Sequence, residues 1–442
     1  MDINEFRKIF FKMEIENKLF YEKIKNDIYW WDIVRHDIYY QIFNSLERED
    51  VAFKEKANSK SILLYLKKDL KNLVYLYKNK NKDYMFFKSS RNNGKDLILD
   101  PIIESKKNIF IHETFLEKNK FEIKSIRVLQ QIFFKKIEID CQKYENLIEK
   151  YFGKKVNLHF IINFLVNKFI IDKKYYTIIL NIVKPKKIYL VQNGIQKGLF
   201  EAAKQKKVTI IEMQHGFIGE NHPAYSYPDE ILIKKNELYL PDYFCVFSNY
   251  WKNKINYPVK KTFIIGNDNY FVEEELIKNN TDITFISSDM HQDKLDLYLE
   301  TLLKIDKDNR IINLKLHPNQ KNKIDIIKVK YKSYPNVKII FDEINMKSLL
   351  LKSECIVTVN STVTYEALQL GIPCFIIKEL NYAEDLEVLK LDGVFLIENK
   401  KQMEKILQKK INIKKKHIYF EKFDLKKLQS IEGEKHERDK IL

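Results

Sequence analysis

Residues Ile356–Pro373 read IVTVNSTVTYEALQLGIP. The run from Ile356 to Val359 is apolar and β-branched, which favours extended chain. Ser361 and Thr362 follow Asn360 and stand before an apolar pattern at helical spacing, so the pair reads as a helix start. Gly371 and Pro373 are stop signals for that helix. The next run, IPCFIIKE, returns the chain to a strand. Strand, turn, helix, turn and strand make a βαβ unit, whose strands lie parallel in a sheet covered on both faces.

Outward from this unit the pattern repeats. DITFISSD, RIINLKLHP and VKIIFDE precede it as strands, each followed by a helix or turn. An earlier set consists of KKIYLVQNG, VTIIEMQHG, DYFCVFS and KTFIIGND, with a helix through Gly198 to Lys204 and another around Trp251. DYMFFKSSR (Asp83–Arg91) is a first buried strand, Asp100-Pro101 breaks the chain after it, and residues 120–182 are mainly helical. The expected fold class is α/β, with two Rossmann-type parallel-sheet domains facing a cleft and a helical N-terminal region over residues 1–80. Residues 268–281 are polar and acidic, which places the junction there. The expected domains are 1–270 on the acceptor side, 281–408 on the nucleotide-donor side, and a basic tail over 409–442.

Composition limits the function classes. A chain of 442 residues with 45% hydrophobic residues has room for two cores. Its formal charge of +17 admits nucleic acid, an anionic membrane or anionic substrates as partners. The lysines are spread along the whole chain without a nucleic-acid motif, so membrane surface and nucleotide are preferred over nucleic acid. Cys141, Cys245, Cys355 and Cys374 form no CxxC pair and suit reduced, buried thiols. The N-terminus has no apolar signal core, and the apolar run near Phe160–Ile171 is interrupted by Asn163, Asn167 and Lys168. A cytoplasmic protein, peripheral on the inner face of the cell membrane, is expected.

In open α/β sheets ligands bind beyond the carboxyl ends of strands, and the polar motifs sit there. Hydroxyls at the Ser361-Thr362 helix start suit phosphate oxygens, with Glu366 one turn further on, although a plain helix cap uses the same residues. His317-Pro318 ends the strand LKLHP: proline stops the ladder, and the imidazole can donate to a leaving phosphate, with Lys315 nearby to offset charge. Asp342 and Glu343 close the strand between them, and a carboxylate there is a natural acceptor for ribose hydroxyls. His215-Gly216 ends the strand TIIEMQ. Its imidazole suits removal of a proton from an acceptor hydroxyl, the glycine permitting a sharp turn. Glu212 and Glu220 lie close in sequence, Glu212 reaching the imidazole only if the turn folds back. The spacing of His215, Glu220 and His222 lacks that of a helical metal motif, so no metal and no cofactor is expected. In YWWDIVRHDIYY the aromatic stripe reads as core or membrane interface, and Arg35 is a partner for Asp32.

LKLHP followed by VNSTVTYEALQLGIP resembles the motifs of GT-B-fold bacterial surface-polysaccharide glycosyltransferases, namely the sialyltransferases and capsule Kdo transferases. The resemblance implies that His317, Ser361 and Thr362 contact the donor phosphate and that Glu343 holds the ribose. QHGFIGE stands where those families carry an acidic pair. A histidine-glycine at that place is similar to the poly(glycerol phosphate) transferases, which implies His215 as the base. The expected activity is transfer of a sugar from a CMP-, UDP- or GDP-linked donor to a hydroxyl of a cell-surface polysaccharide or lipid-linked glycan, with inversion. Transfer of a polyol phosphate from a CDP-alcohol such as CDP-glycerol is the first alternative. A nucleotide-sugar epimerase and a non-catalytic glycan-binding protein are the others.

Overall fold

The structure, a computed structural model, describes residues 1, 3–24, 27–47, 63–89, 95–114, 121–132, 135–191, 196–231, 238–271, 281–287, 292–341, 344–359, 361–378, 385–407, 413 and 417–433. The chain divides into two compact units. Unit 1 comprises Met1–Val246 and Lys252–Phe263; unit 2 comprises Phe247–Trp251 and Ile264–Leu442.

Unit 1 opens with helix α1 (Ile3–Glu16), a small antiparallel hairpin of β1 (Lys23–Ile24) and β2 (Ile28–Tyr29), and helix α2 (Trp30–Glu47). Helix α3 (Leu63–Lys78) leads to β3 (Tyr84–Lys88), α4 (Asp100–Glu104) and β4 (Ile109–Glu113). Three helices, α5 (Lys124–Ile132), α6 (Gln142–Phe152) and α7 (His159–Val183), precede β5 (Lys187–Val191), α8 (Lys197–Gln205) and β6 (Thr209–Met213). Strands β7 (Tyr243–Val246) and β8 (Lys261–Ile264) flank the short helix α9 (Asn249–Lys252). The six-stranded sheet has the order β4-β3-β5-β6-β7-β8. Its registers from β4 to β7 are parallel. Met85, Phe87, Ile188 and Leu190 from its strands pack with Ile179 and Phe200 from α7 and α8. Those helices approach so closely that a Cβ on Gly198 would lie 2.7 Å from the Asp172 Cβ, a place only glycine fits.

Unit 2 alternates from β9 (Asp282–Ile286) through α10 (Gln292–Ile305), β10 (Ile312–Lys315), α11 (Ile324–Lys330), β11 (Val337–Ile340) and α12 (Met346–Leu350) to β12 (Ser353–Thr358). Then come α13 (Val363–Gln369), β13 (Cys374–Ile377), β14 (Val394–Ile397) and α14 (Leu425–Gly433). The sheet is wholly parallel, in the order β11-β10-β9-β12-β13-β14. This is the doubly wound dinucleotide-fold order, with chain crossovers leaving β9 and β12 in opposite directions.

The molecule thus has two Rossmann-like six-stranded sheets and a helical N-terminal region. The hairpin strands β1 and β2 interrupt the expected helical region, and of the two six-stranded sheets β4 and β14, both at sheet edges, escaped the sequence reading. Asp100-Pro101, read as a break, opens α4, because a proline in a first helical turn leaves no amide unpaired. Residues 268–281 were read as the junction and 409 onward as a tail. In the structure Phe247–Trp251 and the chain from Ile264 go with unit 2, and so do the buried Tyr419 and Phe420. Trp251 Nε1 donates to Tyr419 O at 2.7 Å, and Asn267 N donates to Glu421 O at 2.9 Å. All four cysteines are free and buried. Among the described residues no helix is long and apolar enough to cross a membrane.

Candidate functional site

In unit 2 the point where crossover direction reverses lies between β9 and β12, so the ligand crevice of this topology opens at their carboxyl ends. Ser287 directly follows β9, Ser361 and Thr362 follow β12, and His317 follows β10, the other neighbour of β9. The His317-Pro318 turn is fixed from below. Gln320, wholly buried, accepts from His317 N at 2.7 Å and from the Ser287 hydroxyl at 2.7 Å. Its amide donates to Gln292 Oε1 at 2.7 Å, and Gln292 donates onward to Asp296. Buried amides satisfied this completely hold one geometry. Asn319 N donates to His317 Nδ1 at 3.2 Å. The neutral ring therefore carries its proton on Nε2, a hydrogen-bond donor on an exposed side chain.

Ser361 Oγ accepts from Val363 N at 3.2 Å, which leaves its hydroxyl proton for a second partner. Thr362 occupies the N-cap of α13 without using its side chain as a cap, and it is exposed. Glu366, one turn further along the same helix, is buried, and that burial pushes its carboxyl up to about 8. A carboxyl in that state is protonated at neutral pH and can donate. Lys315, expected to offset phosphate charge, directs its ammonium to the Phe341 and Ile344 carbonyls and so fastens the loop after β11. Asp342 and Glu343, the expected ribose acceptors, lie outside the described residues.

In unit 1 the strand β6 delivers the histidine-glycine turn. Gln214 N extends the ladder to Cys245 O at 2.8 Å, and its side-chain amide donates to Gly216 O at 2.8 Å. His215 is half-buried just beyond. The positive-φ glycines among the described residues are Gly153, Gly266, Gly371 and Gly393. Gly216 is not one of them, so left-handed backbone is not the reason for that glycine. His215 belongs to an imidazole cluster: the rings of His222 and His36, from α2, are 5.9 Å apart. Burial, then the neighbouring His36 and His215, hold the His222 pKa well below the usual histidine range, so His222 is neutral. Its Nδ1 accepts from Ala224 N at 3.2 Å.

The two carboxylates expected beside His215 have other partners. Glu212 is fully buried and accepts from the Tyr225 and Tyr257 hydroxyls at 2.8 and 2.9 Å. Glu220 is exposed and pairs with Arg7 at 2.9 Å. The α2 stripe proves to be core, with Trp30 and Trp31 buried. Arg35 pairs with Glu14 of α1 at 2.8 Å, not with Asp32. Asp32 instead accepts from Lys197 at 3.2 Å, from the Tyr227 hydroxyl at 3.0 Å and from Tyr239 N at 2.8 Å. This second network was not legible locally, because its members come from four separate segments. Among the described residues no three His, Cys, Asp or Glu side chains are grouped as metal ligands.

Residues 247–378 match the family model described as capsule polysaccharide biosynthesis protein. That stretch contains Lys315, His317, Pro318, Glu343, Ser361, Thr362 and Glu366, and it excludes His215. No curated protein matches the chain. Among solved structures, UDP-GlcNAc 2-epimerase from Methanocaldococcus jannaschii is similar at 16% identity and TM-score 0.42, over 75% of this chain and 93% of that one. The corresponding enzyme from Neisseria meningitidis, bound to UDP-GlcNAc, is similar at 14% identity and TM-score 0.44, over 73% and 90%. MurG from Acinetobacter baumannii is similar at 10% identity and TM-score 0.41, over 74% and 90%.

Proposed function

We propose that the chain is a glycosyltransferase of surface-polysaccharide synthesis, working at the cytoplasmic side of the cell membrane. Unit 2 binds the nucleotide-activated donor, and unit 1 supplies the base for an acceptor hydroxyl on a polysaccharide or lipid-linked glycan. The carrying observation is the position of His317, Ser361 and Thr362 at the carboxyl ends of β10 and β12, around the crossover reversal of unit 2. His317 Nε2–H and the Ser361 and Thr362 hydroxyls donate to phosphate oxygens, and the leaving nucleotide is stabilised as its charge develops. Glu366, kept neutral by burial, adds a donor on the nucleotide side. Glu343 accepts from the ribose. His215 removes the acceptor proton, and direct displacement inverts the anomeric centre. In this reading the hydrogen-bond donors replace a metal.

The test is product analysis with an activated sugar and a glycan acceptor, for wild type and His215→Ala. A new glycosidic bond, formed by wild type and slowed about 10²–10⁴-fold in the variant at unchanged donor affinity, supports the reading. A new phosphodiester makes the chain a polyol-phosphate transferase, and donor conversion without acceptor makes it an epimerase. Full turnover by His215→Ala removes the histidine base.

A further inference from the structure

Helix α3 carries an apolar stripe on the face turned away from its own unit. Among the described side chains, its inner face is docked by polar anchors and by the core residue Leu76. Asp69 accepts from Lys124 N at 3.0 Å and Ser125 N at 2.6 Å, at the start of α5. Asn72 donates to Glu122 O at 2.8 Å, and Leu76 is buried in the core. On the outer face Leu70, Leu73, Val74 and Tyr77 are 64%, 38%, 47% and 66% exposed. Their spacing is i, i+3, i+4 and i+7, a single stripe on a helix. A helix with both a docked face and an apolar outer face has an unfilled partner.

The flanking charge identifies that partner. Lys71 and Lys78 are exposed on the same helix, Lys80 is exposed just beyond it, and the chain as a whole carries +17. Apolar side chains bordered by lysines match the interface of a bilayer, where the stripe enters the acyl boundary and the ammonium groups reach anionic headgroups. We propose that the outer face of α3 docks the protein on an anionic phospholipid surface. The assignment rests on the exposure of α3 and not on the transfer chemistry, so either can fail while the other stands.

Vesicle co-sedimentation of the full chain tests it. The vesicles are phosphatidylcholine alone or mixed with phosphatidylglycerol, and the variant is Leu70→Glu with Tyr77→Glu. Both side chains are exposed, so the variant keeps the fold, which its Tm checks. The control is Ile326→Glu with Val329→Glu, an equally exposed apolar pair on α11 of unit 2. Wild type and control are expected to sediment with the phosphatidylglycerol vesicles, and the α3 variant to bind at least about tenfold more weakly. The proposal is overturned if wild type ignores both vesicle types, or if the α3 variant binds as wild type does. It is also overturned if wild type is a dimer by light scattering that the α3 variant dissolves, since the stripe is then covered by a second copy.

Discussion

Glu366 and His222 are the residues whose surroundings change their chemistry most legibly, and in opposite senses. Burial raises Glu366 from 4.5 to about 8. Between those values the unfolded chain has lost a proton that the folded chain keeps, so the contribution of Glu366 to stability is complete below pH ~4.5 and is lost as pH rises toward 8. Glu366→Gln is expected to flatten this part of the Tm-versus-pH curve and to stabilise the protein by up to about 4 kcal/mol at pH 8. Parallel curves for the two proteins would contradict the buried, protonated state. His222 is held below its ordinary value of 6.5. The unfolded chain takes up a proton below pH ~6.5 that the folded chain refuses, so this contribution is complete above pH ~6.5 and drains away as pH falls. Asparagine can take over the acceptor role of His222 Nδ1 toward Ala224 N. His222→Asn is therefore expected to weaken the fall in Tm between pH 7 and 5.5, and an unchanged acid limb would locate the titrating group elsewhere.

At the scale of elements, the N-terminal helices are joined to the body of unit 1 by buried charge. Arg35 donates to both carboxylate oxygens of Glu14 and to the Ser226 carbonyl, all without access to water. Arg35→Leu leaves Glu14 buried without its counter-charge, held by the Trp31 indole N–H at 2.7 Å, and chemical denaturation is expected to show a loss of about 3–5 kcal/mol. A loss below about 1 kcal/mol would mean that Glu14 finds water or takes up a proton without cost. Gly266 is the corresponding joint of unit 2, with φ +70 and a Cβ position 2.2 Å from the Lys422 carbonyl oxygen. Gly266→Ala is expected to cost at least about 2 kcal/mol, because strain and collision add there. An alanine variant as stable as wild type would show that the 417–424 segment shifts freely. What could be read from the sequence followed burial. Central strands such as β6 and β12, covered on both faces, are continuous apolar runs and were found. Burial is not the whole account: the edge strands β8 and β11 are as exposed and were found, whereas β4, with the mixed sequence IFIHE, and β14, the four-residue run VFLI, were not. Local spacing offers Asp32 as the partner of Arg35, whereas the actual partner Glu14 lies on a different helix that no local spacing reports. Lys197 and Asp32 stand 165 positions apart, and nothing near either one announces the other.

For the whole molecule, two parallel sheets of Rossmann type were legible because most of their strands are short apolar runs followed by a polar turn and a helix. The reversal of strand order in unit 2 is a tertiary fact, and it is what turns His317, Ser361 and Thr362 from separate turn residues into one candidate site. Calorimetric titration of the full chain with CMP, CDP, UDP and GDP tests that site most directly, in wild type, His317→Ala and Ser361→Ala. One nucleotide is expected to bind saturably, and each substitution is expected to raise its Kd about tenfold, as loss of a hydrogen bond to a charged phosphate does. Binding of none of the four nucleotides, or equal binding by all three proteins, would contradict a donor held at the ends of these strands.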